Sequence, residues 1–290
     1  MKSEEQPLVD TRGRFIQAIR GGRELSDANW TGGRILISNK RIVMAGTAGK
    51  RTLPLDAVDN LGGRFDVNQR VATVSDYLAI HLNGGDDVIL VSPAEDYEEF
   101  ERDVYGALLH YDRFLARHPA VAGGVVQNTE WEQCRIKVEP EAVSVATVTG
   151  KFVEIRLDDI GETMTGRRKV LEEERRVIEV EHSDDGTSVQ TYLSGPDRQI
   201  GFLASLLRKG EEQSATSIEL SETDKQVLTA LYSGVEPFDI PDFLGLDVDK
   251  VEALFERLID HKVVDEVRVR HEVELNAKGR SIASDAIENQ

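Results

Sequence analysis

One long stretch of this chain occurs twice, and the repeat limits the fold more than any other feature of the sequence. The first copy, WTGGRILISNKRIVMAGTAGKRTLPLDAV, spans residues 30–58, and the second, WEQCRIKVEPEAVSVATVTGKFVEIRLDDI, spans residues 131–160. The tryptophan, an Arg-Ile pair, an alanine and a Gly-Lys pair recur in the same order, with apolar residues replacing apolar ones between them. We therefore predict two copies of one small domain.

Both copies have the pattern of antiparallel strands separated by turn residues. In the first copy the β-rich runs are residues 34–38, 41–45, 51–55, 77–82 and 88–91. In the second copy they are residues 134–138, 142–148, 152–157, 176–182 and 187–193. Residues 1–28 are mostly polar and are expected to lead into the first strand. The pattern predicts about seven strands per copy.

An amphipathic helix is predicted to close each copy. In the first, Ser92-Pro93-Ala94-Glu95 is typical of a helix start. Apolar residues then recur at steps of three and four, as Tyr97, Phe100, Val104, Leu108, Tyr111 and Leu115. In the second, Gly195-Pro196 opens a helix whose apolar stripe is Ile200, Leu203, Leu206 and Leu207. A seven-stranded antiparallel sheet closed by a carboxy-terminal helix is the pleckstrin-homology (PH) arrangement.

The last part of the chain changes to helical periodicity. Ser221-Glu-Thr-Asp224 has the capping-box pattern before a first helix, a short second helix is indicated around Ile240, and residues 248–261 form a strong third helix. Alternating apolar residues at Val267, Val269, Val273 and Leu275 then indicate a hairpin, and a terminal helix follows from Lys278. Three helices and a hairpin are typical of a winged helix-turn-helix domain.

The predicted fold class is therefore α+β, with two tandem PH-like domains followed by a winged helix-turn-helix domain. The predicted boundaries are residues 1–117 for the first PH-like domain, 118–129 for a linker, 130–210 for the second PH-like domain, 211–217 for a linker and 218–290 for the winged helix-turn-helix domain.

Composition limits the function classes. The formal net charge is -18, and the acidic residues are spread along the whole sequence. Such a surface is typical of proteins that stay hydrated in concentrated salt, so a halophilic cytoplasm is the favoured setting and an ordinary acidic protein the alternative. The charge disfavours nucleic acid and anionic membranes as partners. No apolar run is long enough to insert into a membrane, and the single cysteine indicates a reducing compartment.

Catalysis has little support in the sequence. The six histidines do not approach metal-ligand spacing and are expected at surface or boundary positions. Cys134 is expected to be a half-buried strand residue, since it stands where the first copy has Gly33. The segment from Gly46 to Lys50 resembles a phosphate loop only superficially, because it is too short and joins two strands. We expect no catalytic residue, cofactor or metal site.

The densest group of basic residues is the most plausible binding surface. It consists of Arg167, Arg168, Lys169, Arg175 and Arg176, interrupted by three glutamates. Guanidinium groups bind carboxylate and phosphate, so this group could receive an acidic partner or a phosphorylated aspartate. The alternative is a solvated loop in which these charges pair internally.

Two other binding classes were weighed. Winged helices commonly bind DNA, but acidic residues outnumber basic ones from Ser217 to Gln290, which favours protein docking, with a purely structural cap as a third option. Lipid binding would use Lys40, Arg41, Lys50 and Arg51 near the first hairpin, where the second copy has the acidic stretch 139–141. A DNA-binding transcription regulator is the main alternative to an adaptor.

The whole chain, over residues 8–285, resembles CheF, the archaeal taxis adaptor family, in its haloarchaeal form. The resemblance is carried by Trp30-x-x-x-Arg34-Ile35, by Leu55-Asp56-x-Val58 and Leu157-Asp158-x-Ile160, and by the tail Leu275-Asn-Ala-Lys278-Gly279-Arg280. These motifs are structural and transfer no functional residue.

The resemblance implies a non-enzymatic adaptor that joins the chemotaxis system to the archaellum. Its implied partners are the response regulator CheY, preferentially when phosphorylated, the CheD and CheC proteins, and the switch proteins of the archaellum motor. Its implied location is the cytoplasm, at the base of that motor.

Overall fold

The structure is a computed structural model that describes residues 5–25, 29–47, 49–62, 76–109, 113–216, 220–260 and 263–264. The chain divides into two compact units, Met1–Ser217 and Ile218–Gln290. Two antiparallel sheets and two helices make up the described part of the first unit, and three helices make up that of the second. The predicted α+β class, with two antiparallel sheets, is confirmed.

The first sheet consists of β1 (Pro7–Arg20), β2 (Arg23–Glu24), β3 (Thr31–Ser38), β4 (Arg41–Gly46), β5 (Gly49–Pro54), β6 (Val58–Gly62), β7 (Leu78–Leu82) and β8 (Asp87–Pro93). Its order is β5-β4-β3-β1-β8-β7-β6, and β2 pairs with β1. The fourteen-residue strand β1 therefore lies at the centre, where the sequence predicted only a polar lead-in. The sequence did not indicate this strand because most of its residues are polar. Only Ile16 and Ala18 of β1 are buried.

The second sheet consists of β9 (Phe114–Ala122), β10 (Val125–Val126), β11 (Glu132–Val138), β12 (Ala142–Thr147), β13 (Phe152–Arg156), β14 (Glu162–Val170), β15 (Glu173–Asp184) and β16 (Thr187–Ser194). Its order, β13-β12-β11-β9-β16-β15-β14, repeats that of the first sheet. Even the register repeats, since Gly13 pairs with Gly33 and Phe114 pairs with Cys134. The sequence repeat is thus a repeat of structure.

Helix α1 (Tyr97–Leu109) follows the first sheet, but it begins later than predicted. Ser92 and Pro93 belong to β8. The helix start is capped by Asp96, whose Oδ1 atom accepts from the amides of Glu98 at 2.9 Å and Glu99 at 3.0 Å. The proline pattern was therefore misread, because a carboxylate one residue before the helix satisfies the free amides.

The predicted linker at residues 118–129 is wrong. Most of it lies in β9 and β10, and Leu115, assigned to the helical stripe, is a strand residue; Tyr111 lies outside the described residues. The error has a simple cause. Strand β9 is the counterpart of β1, and the recognisable sequence match begins only at Trp131, after both strands have passed.

Helix α2 (Asp197–Thr216) includes most of the second predicted linker, residues 211–217. Two contacts explain why these polar residues stay helical. The Glu211 carboxylate accepts from the amide of Thr163 at 3.0 Å, and the Ser214 hydroxyl donates to the carbonyl of Asp158 at 3.1 Å. Its predicted apolar stripe is buried, with Ile200, Leu203, Leu206 and Leu207 at most 3% exposed.

The two sheets and both helices share one hydrophobic core. Buried side chains of the first sheet, such as Ile35 and Ile80, belong to the same contact cluster as Ile155 and Ile178 of the second sheet. The helix residues Phe100, Val104, Leu108, Ile200, Leu203 and Leu207 complete this cluster. The two copies are therefore packed into one body, and α1 and α2 lie at their junction.

Polar contacts also cross this junction. The Arg198 guanidinium on α2 donates to the carbonyl of Leu55 at 2.8 Å and to that of Val58 at 3.0 Å, both in the first copy. Lys209 on α2 forms an ion pair with Glu101 on α1, and Glu101 is only 7% exposed. These contacts give two backbone carbonyls and a buried carboxylate their partners, so the junction is specific as well as apolar.

The repeated tryptophans have a structural role. Trp30 packs against a small cluster that contains Ile16, Tyr77 and Leu90. Trp131 packs against another, with Leu115, Val170 and Val177. Both clusters are separate from the shared core. The residue that reveals the repeat therefore covers an apolar patch outside the shared core in each copy.

The second unit contains α3 (Glu222–Tyr232), α4 (Ile240–Leu244) and α5 (Val248–Asp260). The predicted capping box is present, with Ser221 and Asp224 exchanging hydrogen bonds at the start of α3. A core of Val227, Ala230, Ile240, Val251, Leu254 and Leu258 joins the helices. The predicted hairpin and the terminal helix from Lys278 lie outside the described residues.

We expect Arg198→Met to lower the free energy of unfolding by about 1–3 kcal/mol, because methionine keeps the aliphatic stem but leaves the Leu55 and Val58 carbonyls without their donor. Denaturant titration followed by circular dichroism measures the change. Arg208→Met is the control, because the exposed Arg208 donates only to the Thr165 hydroxyl in this region. Equal effects of the two substitutions would contradict the role given to Arg198.

Candidate protein-binding site

The basic group predicted from the sequence lies on one β-hairpin. Strands β14 and β15 turn at Leu171 and Glu172, which both have positive φ angles of 47° and 71°. The register places Arg167 opposite Arg176 and Arg168 opposite Arg175. Strand β14 is absent from the strands predicted from the sequence, because much of its length is exposed and charged. The hairpin turns a linear cluster of charges into facing pairs.

Arg168 is a structural residue. Its Nε and Nη2 atoms each donate to Glu179 at 2.6 Å, and the Glu179 side chain is only 9% exposed. The Arg168 guanidinium also lies 5.1 Å from the centre of the Tyr192 ring. The hydrogen bonds that Arg168 donates to Glu179 raise the pKa of Arg168. This arginine neutralises a buried carboxylate, so little of it remains for a partner.

Two further cations of the group have counterions within the hairpin. Arg175 pairs with Glu173 at 2.6 Å and Lys169 pairs with Glu172 at 2.7 Å. Both are exposed pairs, which contribute little to stability. The interpretation of the group as internally paired charges therefore holds for Arg168, Lys169 and Arg175.

Arg167 and Arg176 differ from their neighbours. Neither forms an ion pair with any residue that the structure describes, although they stand directly opposite each other. Together with Arg113 they line one open groove at the end of the second sheet, near the start of α2. Arg113 precedes β9 and is exposed. Three arginines that lack a described counterion therefore line this groove.

Sequence reasoning missed Arg113 because it lies more than fifty residues from the hairpin. The signal that could have found it is the repeat. Arg12 precedes Gly13 in the first sheet, and Arg113 precedes Phe114, which has the equivalent register position in the second sheet. An arginine therefore precedes this register position in both copies.

The other sequence candidates do not form a site. Cys134 is buried in β11, and burial raises the pKa of its thiol to about 12, so it stays protonated. The segment from Gly46 to Lys50 joins β4 and β5, as expected for a turn. Among the described residues, no group of three or more His, Cys, Asp or Glu side chains is placed to hold a metal ion.

Two histidines that the sequence placed at the surface or boundary lie together inside the second sheet. His118 and His182 stack with their ring centres 6.1 Å apart, and His182 is only 2% exposed. Both rings contact the buried Thr191 hydroxyl, at 2.7 and 2.8 Å, and His118 also lies 3.2 Å from Asp184. Burial lowers the pKa of both histidines, and the attraction of Asp184 opposes this only in part. The pair is part of the packing.

Helix α5 of the second unit presents more negative than positive charge. Its exposed side chains include Asp249, Glu252 and Glu256. Of its two basic residues, Arg257 is bound to the buried carboxylate of Asp224, which leaves Lys250. This face is poorly suited to a phosphate backbone.

None of the helices in the described part of the chain combines the length and the apolar character needed to cross a bilayer.

Similarity to known proteins gives the class as archaeal signal transduction. Residues 7–213 match the family described as archaeal chemotaxis signal transduction system protein F, so the chain belongs to this family, and the resemblance to CheF is confirmed. Residues 219–288 match a domain of unknown function.

Two relatives come from Halobacterium salinarum. Taxis protein CheF1 is 49% identical over 291 residues, covering all of both chains. Taxis protein CheF2 is 24% identical over 271 residues, covering 89% of this chain and 90% of that protein.

The division of the basic group into paired and unpaired cations predicts unequal effects on stability. Arg168→Gln is expected to lower the free energy of unfolding by about 1–3 kcal/mol, because Glu179 loses two charge-assisted hydrogen bonds. Arg167→Gln is expected to change it by less than about 0.5 kcal/mol. Urea unfolding of the two variants measures the difference, and a larger loss in Arg167→Gln would contradict the assignment.

The histidine pair predicts a loss of stability in acid. A folded-state pKa below the ordinary 6.5 means that the neutral rings stabilise the fold fully above pH 6.5, and that this contribution is lost as the pH falls below it. We expect the free energy of unfolding of His182→Gln to depend less on pH between pH 7.5 and 5 than that of the unaltered protein. His81→Gln is the control, since His81 contacts neither ring, and equal slopes in all three proteins would refute the prediction.

Proposed function

We propose that this chain is a non-enzymatic adaptor that links the chemotaxis signalling system to the archaellum motor switch. Its partners in this proposal are CheY, preferentially phosphorylated, the CheD and CheC proteins, and the motor switch proteins. It acts in the cytoplasm at the base of the archaellum motor. The observation that carries the proposal is membership of an archaeal chemotaxis signalling family over residues 7–213, combined with an exposed arginine groove on an acidic protein.

The architecture supports an adaptor because it offers separate surfaces on a firm scaffold. We interpret the two sheet-and-helix copies as PH-like modules, at residues 7–109 and 114–216, and residues 218–290 as a winged helix-turn-helix module. The shared core of the first unit holds the outer faces of both modules in a fixed relation. Because the two modules keep a fixed relation, one module can bind one partner while the other module binds a second partner.

The partner surface in this proposal is the β14–β15 hairpin with the groove beside it. Arg167 and Arg176 bind the acidic partner directly. Arg168, Lys169 and Arg175 keep the hairpin in shape through Glu179, Glu172 and Glu173. Charge complementarity of this kind steers association and selects partners.

The alternative function is a DNA-binding transcription regulator, which the three helices of the second unit would suit. The acidic surface of α5 and the ion pair between Arg257 and Asp224 count against it. A polyanion would be repelled by Asp249, Glu252 and Glu256 at the place where a reading helix contacts phosphates.

The adaptor proposal predicts that the purified chain captures the CheY protein of its own organism and that an acyl-phosphate mimic strengthens the capture. Reversing the unpaired charges, as Arg167→Glu with Arg176→Glu, is expected to weaken this capture at least tenfold. Bio-layer interferometry at fixed salt measures the affinity.

The matched control is Arg20→Glu with Arg23→Glu, which reverses two exposed charges that face each other in the first sheet. Unaltered affinity in the Arg167/Arg176 variant would remove the groove from the partner surface. A specific shift of promoter DNA, together with no capture of CheY, would replace the adaptor by the transcription regulator.

A further inference from the structure

We propose that Arg113, Arg167 and Arg176 form a binding site for one compact oxyanion of the phosphate class. Only the source of that oxyanion, a partner protein or a free small phosphate, depends on the proposed function. The chemistry is shared by both sources, and the site is defined by the three arginines and by the start of α2 beside them.

The sheet brings these three residues to one rim. A row of directly paired residues crosses the end of the second sheet, namely Gly166, Val177, Ser194 and Leu115. Arg167 and Arg176 lie one position beyond this row, and Arg113 lies two positions beyond it. Arg176 also reaches the first turns of α2. Its Nη1 atom lies 3.8 Å from the point that a Cβ atom would occupy if Gly201 carried a side chain. Residues distant in sequence thus share one groove.

The hairpin contains an unrelieved repulsion. Like charges directly opposite each other on antiparallel strands are destabilising. Of the two facing arginine pairs, the pair of Arg168 and Arg175 is relieved by Glu179 and Glu173. The pair of Arg167 and Arg176 has no described counterion, in a protein whose carboxylates outnumber its basic groups. A bound anion would supply the missing charge.

The start of α2 adds to the attraction. The first helical hydrogen bond runs from the amide of Ile200 to the carbonyl of Pro196 at 3.0 Å. The amides of the three residues before Ile200 therefore have no partner within the helix, and the positive end of the helix dipole faces this rim. Guanidinium forks and helix amides are the donors that bind phosphate oxygens in proteins.

The acidic residues of the same groove limit the size of the ligand. Glu174 and Asp197 also line it, and neither pairs with the three arginines at ion-pair distance. A long polyanion would meet these carboxylates and the acidic surface beyond them. A single phosphoryl-sized group can occupy the space among the guanidiniums instead. Glu174 therefore lowers the affinity of the site for an anion and limits the size of the anion that fits. Removing its charge is expected to raise the affinity for phosphate.

The test is thermal unfolding of the full chain in inorganic phosphate, compared with chloride and with acetate at the same ionic strength. Saturating phosphate is expected to raise the unfolding temperature by roughly 2–4 °C over both salts. In Arg113→Gln and Arg176→Gln the half-saturating phosphate concentration should rise at least tenfold. In Glu174→Gln it should fall. Arg23→Gln, an exposed arginine of the first sheet, should leave it unchanged.

A misfolded variant cannot imitate this result. Arg176→Gln removes a repulsion, so without phosphate it should be as stable as the unaltered chain or more stable, while losing the response to phosphate. No phosphate-specific rise in the unaltered chain, or a full rise in Arg176→Gln, would overturn the site. A stronger response in acetate than in phosphate would also overturn it.

A second arm distinguishes the sources. If phosphate competes with capture of the phosphorylated CheY mimic, and Arg113→Gln loses that capture, the oxyanion belongs to the partner. Phosphate binding without competition assigns the site to a free small phosphate and leaves the adaptor function standing. Capture of CheY with no phosphate effect on either assay keeps the adaptor function and refutes the oxyanion site.

Discussion

Burial of α1 and α2 between the two sheets is the interaction on which the rest of the first unit depends. Residues such as Phe100, Val104, Ile200 and Leu203 are less than 5% exposed, and burying one large apolar side chain contributes about 1.5–3 kcal/mol. Neither sheet alone could bury these helix faces, because both sheets contribute side chains to the core cluster. The duplicated sequence therefore gives one cooperative body rather than two independent domains.

This shared core fixes the positions of charged groups at the rims. The backbone carbonyls of Leu55 and Val58 receive Arg198, and the buried Glu101 receives Lys209, so cations at the junction are used to satisfy buried acceptors. The same is true of Arg168 with Glu179. The net charge is -18, yet several described arginines have no ion-pair partner, and strand register identifies which of them face each other.

Sequence patterns predicted the elements whose signals are local. The turn between the runs 34–38 and 41–45, the buried stripes of both helices and the Ser221 capping box all depend on residues a few positions apart. Strands β1 and β9 were lost for the opposite reason. One neighbour of each, β8 for β1 and β16 for β9, lies far along the chain. Central strands that pair with distant partners can carry polar side chains where one face is open.

The candidate site was predicted in the same uneven way. The sequence alone identified the basic cluster. Strand register was needed to distinguish Arg168, which pairs with Glu179, from Arg167, which pairs with no described residue. A one-residue shift in that register would exchange the two roles, because successive strand residues point to opposite faces. Composition shows that basic side chains are present. Only the ion pairs in the structure show which of these side chains are available to a partner.

The two copies share a scaffold but differ where strands approach each other closely. A side chain at Gly33 would collide with the carbonyl of Ala45, whereas the second copy accommodates Cys134 at the equivalent position. Likewise, Gly13 is replaced by the large buried Phe114. The ends of the two central strands are therefore packed differently, although an arginine precedes both positions. Because the core holds each rim rigidly, such local differences change which groups meet at the rim without changing the fold, and duplication can yield two unlike surfaces on one body.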